Sequence, residues 1–327
     1  MPFPFSRRAA VAAAAAFLAF PFAASAQDYP ARPLKLLIGY TPGGAGDAVA
    51  RLLAQKYGEV LGQPVSVENR PGASATLAAA AVAKAAPDGY TLLVNTGPDS
   101  TIGPLTMRNL PYSVPRDFSP ISLLTIVPSV LIVPAGSPYQ TVADVVKAAR
   151  DNPGKLNYGS FGNGSSAHMS AELFKSLTRT DIAHIPYKGS APAMTELLGG
   201  RIDILFDTFA SAWAQVKAGK VRALAVTSAE RVPLTPSIPT MQEAGVAGFV
   251  SQAFIGVTAP ANTPRPVIEL LEQATSRIMA LPDVRERIVN MGMVPSPTTA
   301  DAYAAFLMSE TDRNRKLITA AKLQFDN

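Results

Sequence analysis

Two stretches of the chain carry residue types suited to holding a small anion. In Tyr40-Thr41-Pro42-Gly43-Gly44-Ala45-Gly46-Asp47 three glycines fall within four positions, so the backbone can turn sharply and approach a ligand with no Cβ in the way. An apolar β-type run over 34–40 leads in, and a helix-type run over 48–61 leads out. The first N–H groups of a helix lack intrahelical partners and carry the positive end of its dipole. Strand, glycine turn and helix start together therefore suit a carboxylate or a phosphate. The same pattern also serves as a plain strand-to-helix turn in α/β folds. A second instance adds weight: Phe161-Gly162-Asn163-Gly164-Ser165-Ser166 follows a strand-like run over 155–160 and precedes a helical run over 167–177.

Catalytic chemistry finds less support. His168 and His184 are the only histidines, and their spacing is not that of metal ligands. The nearest approach to a nucleophile elbow, Gly162-Asn163-Gly164-Ser165, lacks the terminal glycine. Gly43-Gly44-Ala45-Gly46 is not followed by Lys-Ser/Thr, and Val49 stands where a dinucleotide fingerprint needs its third glycine. The residues predict a binding protein, not an enzyme, with no cofactor and no metal.

Several side chains admit two readings. His168, in the first turn of a helix, is a ligand contact or a capping and loop-packing residue. Asp207 ends an apolar strand and either caps the next helix or accepts hydrogen bonds in a cleft. Asp47, at a helix start, either touches ligand or fixes the loop. Phe209 and Trp213 read as core, and Phe254 as a pocket wall. The candidate ligand-binding set is Tyr40, Thr41, Gly43, Gly44, Ala45 and Asp47 in the first loop, with Thr96 at the end of a third strand. Ser160, Gly162, Asn163, Gly164, Ser165 and His168 come from the second loop, with Asp207 and Phe254 beyond it.

These residues need a scaffold of alternating elements. Strand-like runs at 65–69 and 91–95 alternate with an alanine-rich helix over 74–86, and the same rhythm resumes after 155 with strands over 182–186, 202–207 and 221–227. Such alternation predicts parallel or mixed α/β sheets flanked by helices. Two long apolar runs, 123–133 and 254–259, read as strands crossing between two lobes. The expected organisation is a first lobe of 27–126 and 255–327 and a second of 127–254, with the terminal helices packed on the first lobe. That is the plan of a type II-like, two-lobed periplasmic binding protein that closes about a hinge.

Composition fits export. Arg7 and Arg8, an apolar core over 9–22 and Ala24-Ser25-Ala26 read as a signal peptide over 1–26 cleaved after Ala26. The twin-arginine route stays open beside the general one. Removing it takes two arginines and no acids, lowering the formal charge from +5 to a mild, scattered surplus unlike a nucleic-acid footprint. There are no cysteines. A soluble, monomeric periplasmic protein is expected.

With these residues in place, the chain resembles the Bug/TctC-type solute receptors of tripartite tricarboxylate transport systems. The resemblance runs from Tyr29 to the C-terminus. It rests on Pro42-Gly43-Gly44 with Asp47, Glu68-Asn69-Arg70-Pro71-Gly72, Ala86-Pro87-Asp88-Gly89-Tyr90-Thr91, Tyr158-Gly159-Ser160, Gly162-Asn163-Gly164, Pro186-Tyr187-Lys188-Gly189 and Leu198-Gly199-Gly200. It implies a receptor that grips one carboxylate of a small organic acid through the loops 41–47 and 160–166, partly through bridging waters, with Asp207 lining the cleft. Implied partners are a large and a small membrane subunit of a transporter; the alternative partner is a sensor kinase. The chain departs from the family's frequent Phe-Pro-Pro-Gly-Gly at Tyr40-Thr41-Pro42-Gly43-Gly44. Ala45-Gly46 and Thr96–Thr101 also look particular to it. Dicarboxylates, acidic amino acids, aromatic carboxylates and nicotinate-like acids all stay open.

Overall fold

The computed structural model describes residues 29–320; the expected signal peptide and its cleavage site lie outside the described residues. The first half opens with β1 (Leu34–Ile38), α1 (Ala45–Leu61) and β2 (Val65–Asn69). β1 buries every side chain but Lys35, as a strand covered on both faces should. α1 turns Val49, Leu52, Leu53 and Tyr57 inward and stops at Gly62, whose φ of 69° suits glycine. Then come α2 (Thr76–Ala83), β3 (Thr91–Thr96), a π-type turn over Pro98–Ile102 and the short helix α3 (Gly103–Thr106). The 17-residue strand β4 (Phe118–Pro134) leads into the second half.

There the chain forms α4 (Val142–Asp151), β5 (Asn157–Ser160), α5 (Ser166–Thr178), β6 (Ala183–Pro186), α6 (Ser190–Leu198), β7 (Ile204–Thr208), α7 (Phe209–Lys217) and β8 (Val221–Val226). It returns through β9 (Gln252–Pro260) to α8 (Arg265–Ala280), α9 (Pro282–Asn290), the two-residue β10 (Val294–Pro295) and α10 (Ala300–Ala320).

Among the described residues the strands join one ten-stranded sheet, ordered β2-β1-β3-β9-β4-β7-β5-β6, with β8 and β10 also paired to β4. The sequence predicted two sheets; they are continuous because β4 serves both. Its residues 118–128 pair with β9, and its residues 129–134 pair with β7 and β8. Pro128 is tolerated at that handover, where it faces Gln252 at the start of β9. β9 itself pairs only within the first half; Ser251 N–H reaches across to Thr227 O at 3.0 Å.

Strand direction places the loops. β1 and β3 are parallel, β3 and β4 are each antiparallel to β9, and β7 and β5 run opposite to β4. The carboxyl ends of β1 and β3 therefore point toward the second half, and those of β5 and β7 point back toward the first. The loops that follow these strands face one another.

Each half has its own core. Leu36, Ile38, Leu53, Tyr57, Val94, Val257, Leu271 and Ile278 fill the space between the first half's strands and α1, α8 and α9. Leu131, Tyr158, Phe174, Phe206 and Phe249 do so in the second. Each such side chain contributes about 1.5–3 kcal/mol by leaving water. α10 differs from expectation. Tyr303 and Leu307 pack with Leu123 and Phe254 in the first half, but Leu317 meets Ile102 and Met169, and Met169 belongs to α5 of the second. The helix thus touches both halves. The helix expected over 74–86 starts only at Thr76, because Ala73, Ser74 and Ala75 are left-handed (φ 44°, 53° and 74°).

Candidate functional site

The first loop is braced from below by one carboxylate. Asp47 Oδ2 accepts the Gly43 N–H at 3.0 Å and Arg51 Nε at 2.9 Å, while Oδ1 accepts Asn69 Nδ2 at 2.9 Å. Asn69 Nδ2 also donates to Tyr40 O at 2.9 Å. Burial opposes ionisation of Asp47, yet the hydrogen bonds from Arg51, Gly43 and Asn69 outweigh it and hold its pKa at about 2. Of the two readings of Asp47, the structure takes the brace. Gly43 sits at φ 92°, which a side chain would strain. Above this brace, 41–45 are exposed, and no side chain caps the start of α1 at Gly44. The opening N–H groups of α1 are thus available to an anion.

The second loop is largely satisfied by itself. Gly164 N–H donates to His168 Nδ1 at 3.0 Å, Gly162 N–H to Ser160 Oγ at 3.2 Å, and His168 N–H to Ser165 Oγ at 3.3 Å. Ser160 Oγ meets His184 Nε2 at 2.6 Å. The His168 and His184 rings stack at 4.2 Å, and Tyr158 stacks on His184 at 4.8 Å. Burial, reinforced by His184, lowers the His168 pKa to about 4, so this ring is neutral near pH 7 and its Nδ1 accepts the Gly164 N–H. His168 packs and orients the loop. Asn163 is the exposed residue of the loop.

Two of the expected contacts are deeply buried. Asp207 is completely buried. It accepts Ser190 Oγ at 2.9 and 3.0 Å, Ser211 Oγ at 2.8 Å and Thr208 N–H at 2.7 Å. It pins Ser190, the first residue of α6, because a carboxylate this deep must be saturated by donors. Phe254 is buried edge-on against Phe306 at 5.1 Å. It lines a cavity of about 50 Å3 with Gly97, Ser166 of the second loop, Met169 and residues of α10. Phe209 lies in the core as expected, stacked at 5.6 Å on the partly buried Trp213.

Thr96 links the first loop to a buried acid. Its hydroxyl lies 3.0 Å from Tyr40 Oη, and its N–H donates to Asp99 Oδ1 at 2.9 Å. Burial raises the Asp99 pKa to about 7 against the hydrogen bonds from Ser100 and Thr96.

The structure adds Ser74, which sequence reasoning missed. A Cβ on Gly39 would lie 2.3 Å from Ala75 Cβ, so the left-handed turn packs directly against the start of the first loop. Ser74 also lines a gap of about 20 Å3 with Pro98, Ile102, Asn163 and Gly164. Ser74 therefore faces the second glycine loop, while its neighbour Ala75 packs against Gly39 at the entry to the first. A wider recess of about 710 Å3 shares Ser74, Thr106 and Met107 with that gap and continues to Arg108 and Asn109. Three consecutive left-handed residues cost about 1–2 kcal/mol each, strain of the kind that gathers at functional sites. The available signal was Arg70-Pro71-Gly72, a break at the carboxyl end of β2, the same edge that carries the other loops.

A mixed α/β sheet whose halves share one long strand, with anion-suited loops opposed across the junction, defines a solute receptor of the periplasmic binding-protein class. The chain belongs to the tripartite tricarboxylate transporter family of receptors, whose profile matches residues 49–323. It is similar to the solved Rpa4515 of R. palustris with adipate (33% identity, TM-score 0.81, covering 91% of this chain and 99% of that one). It is also similar to MatC of Rhodopseudomonas palustris with bound malate (32%, 0.76, 89% and 100%). A third likeness is to the periplasmic binding protein BugD (33%, 0.76, 90% and 99%). The family is periplasmic and binds solutes; among the described residues no helix is long and apolar enough to cross a membrane.

Proposed function

We propose that this protein captures a small organic carboxylate between its two halves and delivers it to the large and small membrane subunits of a tripartite tricarboxylate-type transporter. What supports this reading is that the loops after β1 and β5 face one another across the sheet, that the start of α1 is exposed and uncapped, and that Ser74 shares a gap with Asn163 and Gly164. Thr41, Gly43, Gly44, Ala45 and Asn163 contact the carboxylate, and Asp47 and His168 hold the contacting loops in shape. The far end of the ligand extends toward the recess at Arg108 and Asn109. Adipate and malate in the related structures are consistent with such a ligand.

The lobes are taken as 27–126 with 255–327, and 127–254, since β4 changes its partners at Pro128 and Ser129. Lobe closure brings both loops onto one ligand. No observation favours a sensor kinase as the partner.

A thermal-shift screen of residues 27–327 against mono- and dicarboxylates, with phosphate, sugars and neutral amides as controls, tests the reading. At a hundredfold excess over Kd, ligand adds about 2.7 kcal/mol, a rise of several degrees in Tm for a domain of this size. A response to sugars or phosphate alone would remove the carboxylate assignment. Transport is tested separately, by uptake of the identified acid with and without the membrane subunits.

A further inference from the structure

A cavity of about 310 Å3 lies between the sheet and α10, walled on one side by Asp99 and Ser100. No residue of either glycine loop lines it. Its volume is about twice the 150 Å3 that accommodates a benzene, and its body is apolar, with Leu93, Phe118, Leu307 and Met308 in the wall. Met308, 59% exposed, stands at its mouth.

The inner end is polar. Asn95 and Thr258 line it, are 1% and 2% exposed, and neither Asn95 Oδ1 nor Thr258 Oγ1 has a hydrogen-bond partner. Buried polar atoms in that condition are uncommon. The orientation of Asn95 is fixed by its neighbours. Ser100 Oγ donates to Asp99 Oδ1 at 2.6 Å, and Asn95 Nδ2 donates to Ser100 Oγ at 2.8 Å. Oδ1 is therefore an acceptor that waits for a donor. The Tyr303 phenol, buried over Gly256, neighbours Asn95, and its Oη likewise makes no hydrogen bond at full geometry.

We propose that this cavity is a second ligand site, for a neutral, mainly apolar small molecule that brings an N–H or O–H donor to Asn95 Oδ1 and Thr258 Oγ1. An anion is the wrong occupant. Its oxygens would face Asn95 Oδ1 and the Asp99 carboxyl, and Arg315 at the rim is already paired with Asp312. The cavity thus selects the opposite chemistry from the cleft.

The probes are benzamide, acetophenone (the same shape with a methyl in place of the amide nitrogen) and benzoate. Each is titrated into residues 27–327 while the methyl signals of Leu307 and Met308 are followed by NMR. Benzamide should shift these signals saturably, acetophenone should bind more weakly, and benzoate should leave them unmoved. Thr258→Val, nearly isosteric, should weaken benzamide by about two- to tenfold, the worth of one hydrogen bond. Ala304→Trp, checked for folding by circular dichroism, should fill the cavity and abolish the shifts. Gly44→Val, altered only in the first loop, should bind benzamide unchanged, which separates this site from the cleft. No saturable shift at millimolar benzamide would mean that ordered water alone satisfies Asn95 and Thr258, and the proposal would fall. Equal response to benzoate, or no effect of Thr258→Val, would overturn it as well.

Discussion

Replacing Asp47 by Asn tests how the first loop is held. Asp47 is 3% exposed and receives hydrogen bonds from Gly43, Arg51 and Asn69. A carboxyl held at about 2 instead of 3.8 stabilises the fold by about 2 kcal/mol at neutral pH. Arg51 is half exposed, so its share is weakened by water and salt; the shares of Gly43 and Asn69 are not. Because the folded-state pKa is the lower one, this stabilisation is complete above the unfolded value and is lost as pH falls from about 4 toward 2. In urea melts, Asp47→Asn should lie about 2 kcal/mol below wild type at pH 7, and the gap should narrow by about 1 kcal/mol at pH 3. Ligand affinity should fall too, since the Gly43 N–H is no longer fixed. A gap of the same size at both pH values would show that the charge of Asp47 does not hold the loop.

Three further outcomes are expected. Gly44→Val should leave Tm unchanged, because a Cβ there meets nothing within 4 Å; carboxylate binding should weaken by about 1.5–3 kcal/mol in calorimetry if the loop's N–H groups hold the anion. Asp207→Ala strands the hydroxyls of Ser190 and Ser211 and the Thr208 N–H, so chemical denaturation should reveal a loss on the order of 3 kcal/mol, a stability effect before a change of ligand preference. His168 is held near 4 against 6.5 by burial and the His184 ring, with Glu172 and Lys175 also facing it. Its neutral form contributes stability that is full above about 6.5 and lost as pH falls toward 4. His168→Asn keeps an acceptor for Gly164 and should flatten the stability–pH curve in that window; an unchanged curve would assign the acid sensitivity to another group.

The order of strands and helices and the two glycine loops were legible from sequence because each is a local property. Alternating apolar runs specify parallel strands, and a glycine cluster between strand and helix specifies a turn with free N–H groups, whatever surrounds it. The long run at 123–133 was legible as a crossing strand for the same reason. Its true start at Phe118 was not, since Pro120 earns its place only by facing β9.

What each polar side chain does was decided by the tertiary structure. Asp47 and Asp207 are both acids at a strand-to-helix junction, and sequence allows either to face a ligand; burial among donors makes both of them braces. Ser74 carries no motif of its own and joins the site because β2 lies beside β1. Asn95 and Thr258 meet only because β3 pairs with β9 across the return of the chain. Sequence determines which backbone groups can bind an anion; only packing over long sequence separations determines which side chains are left with a partner to find.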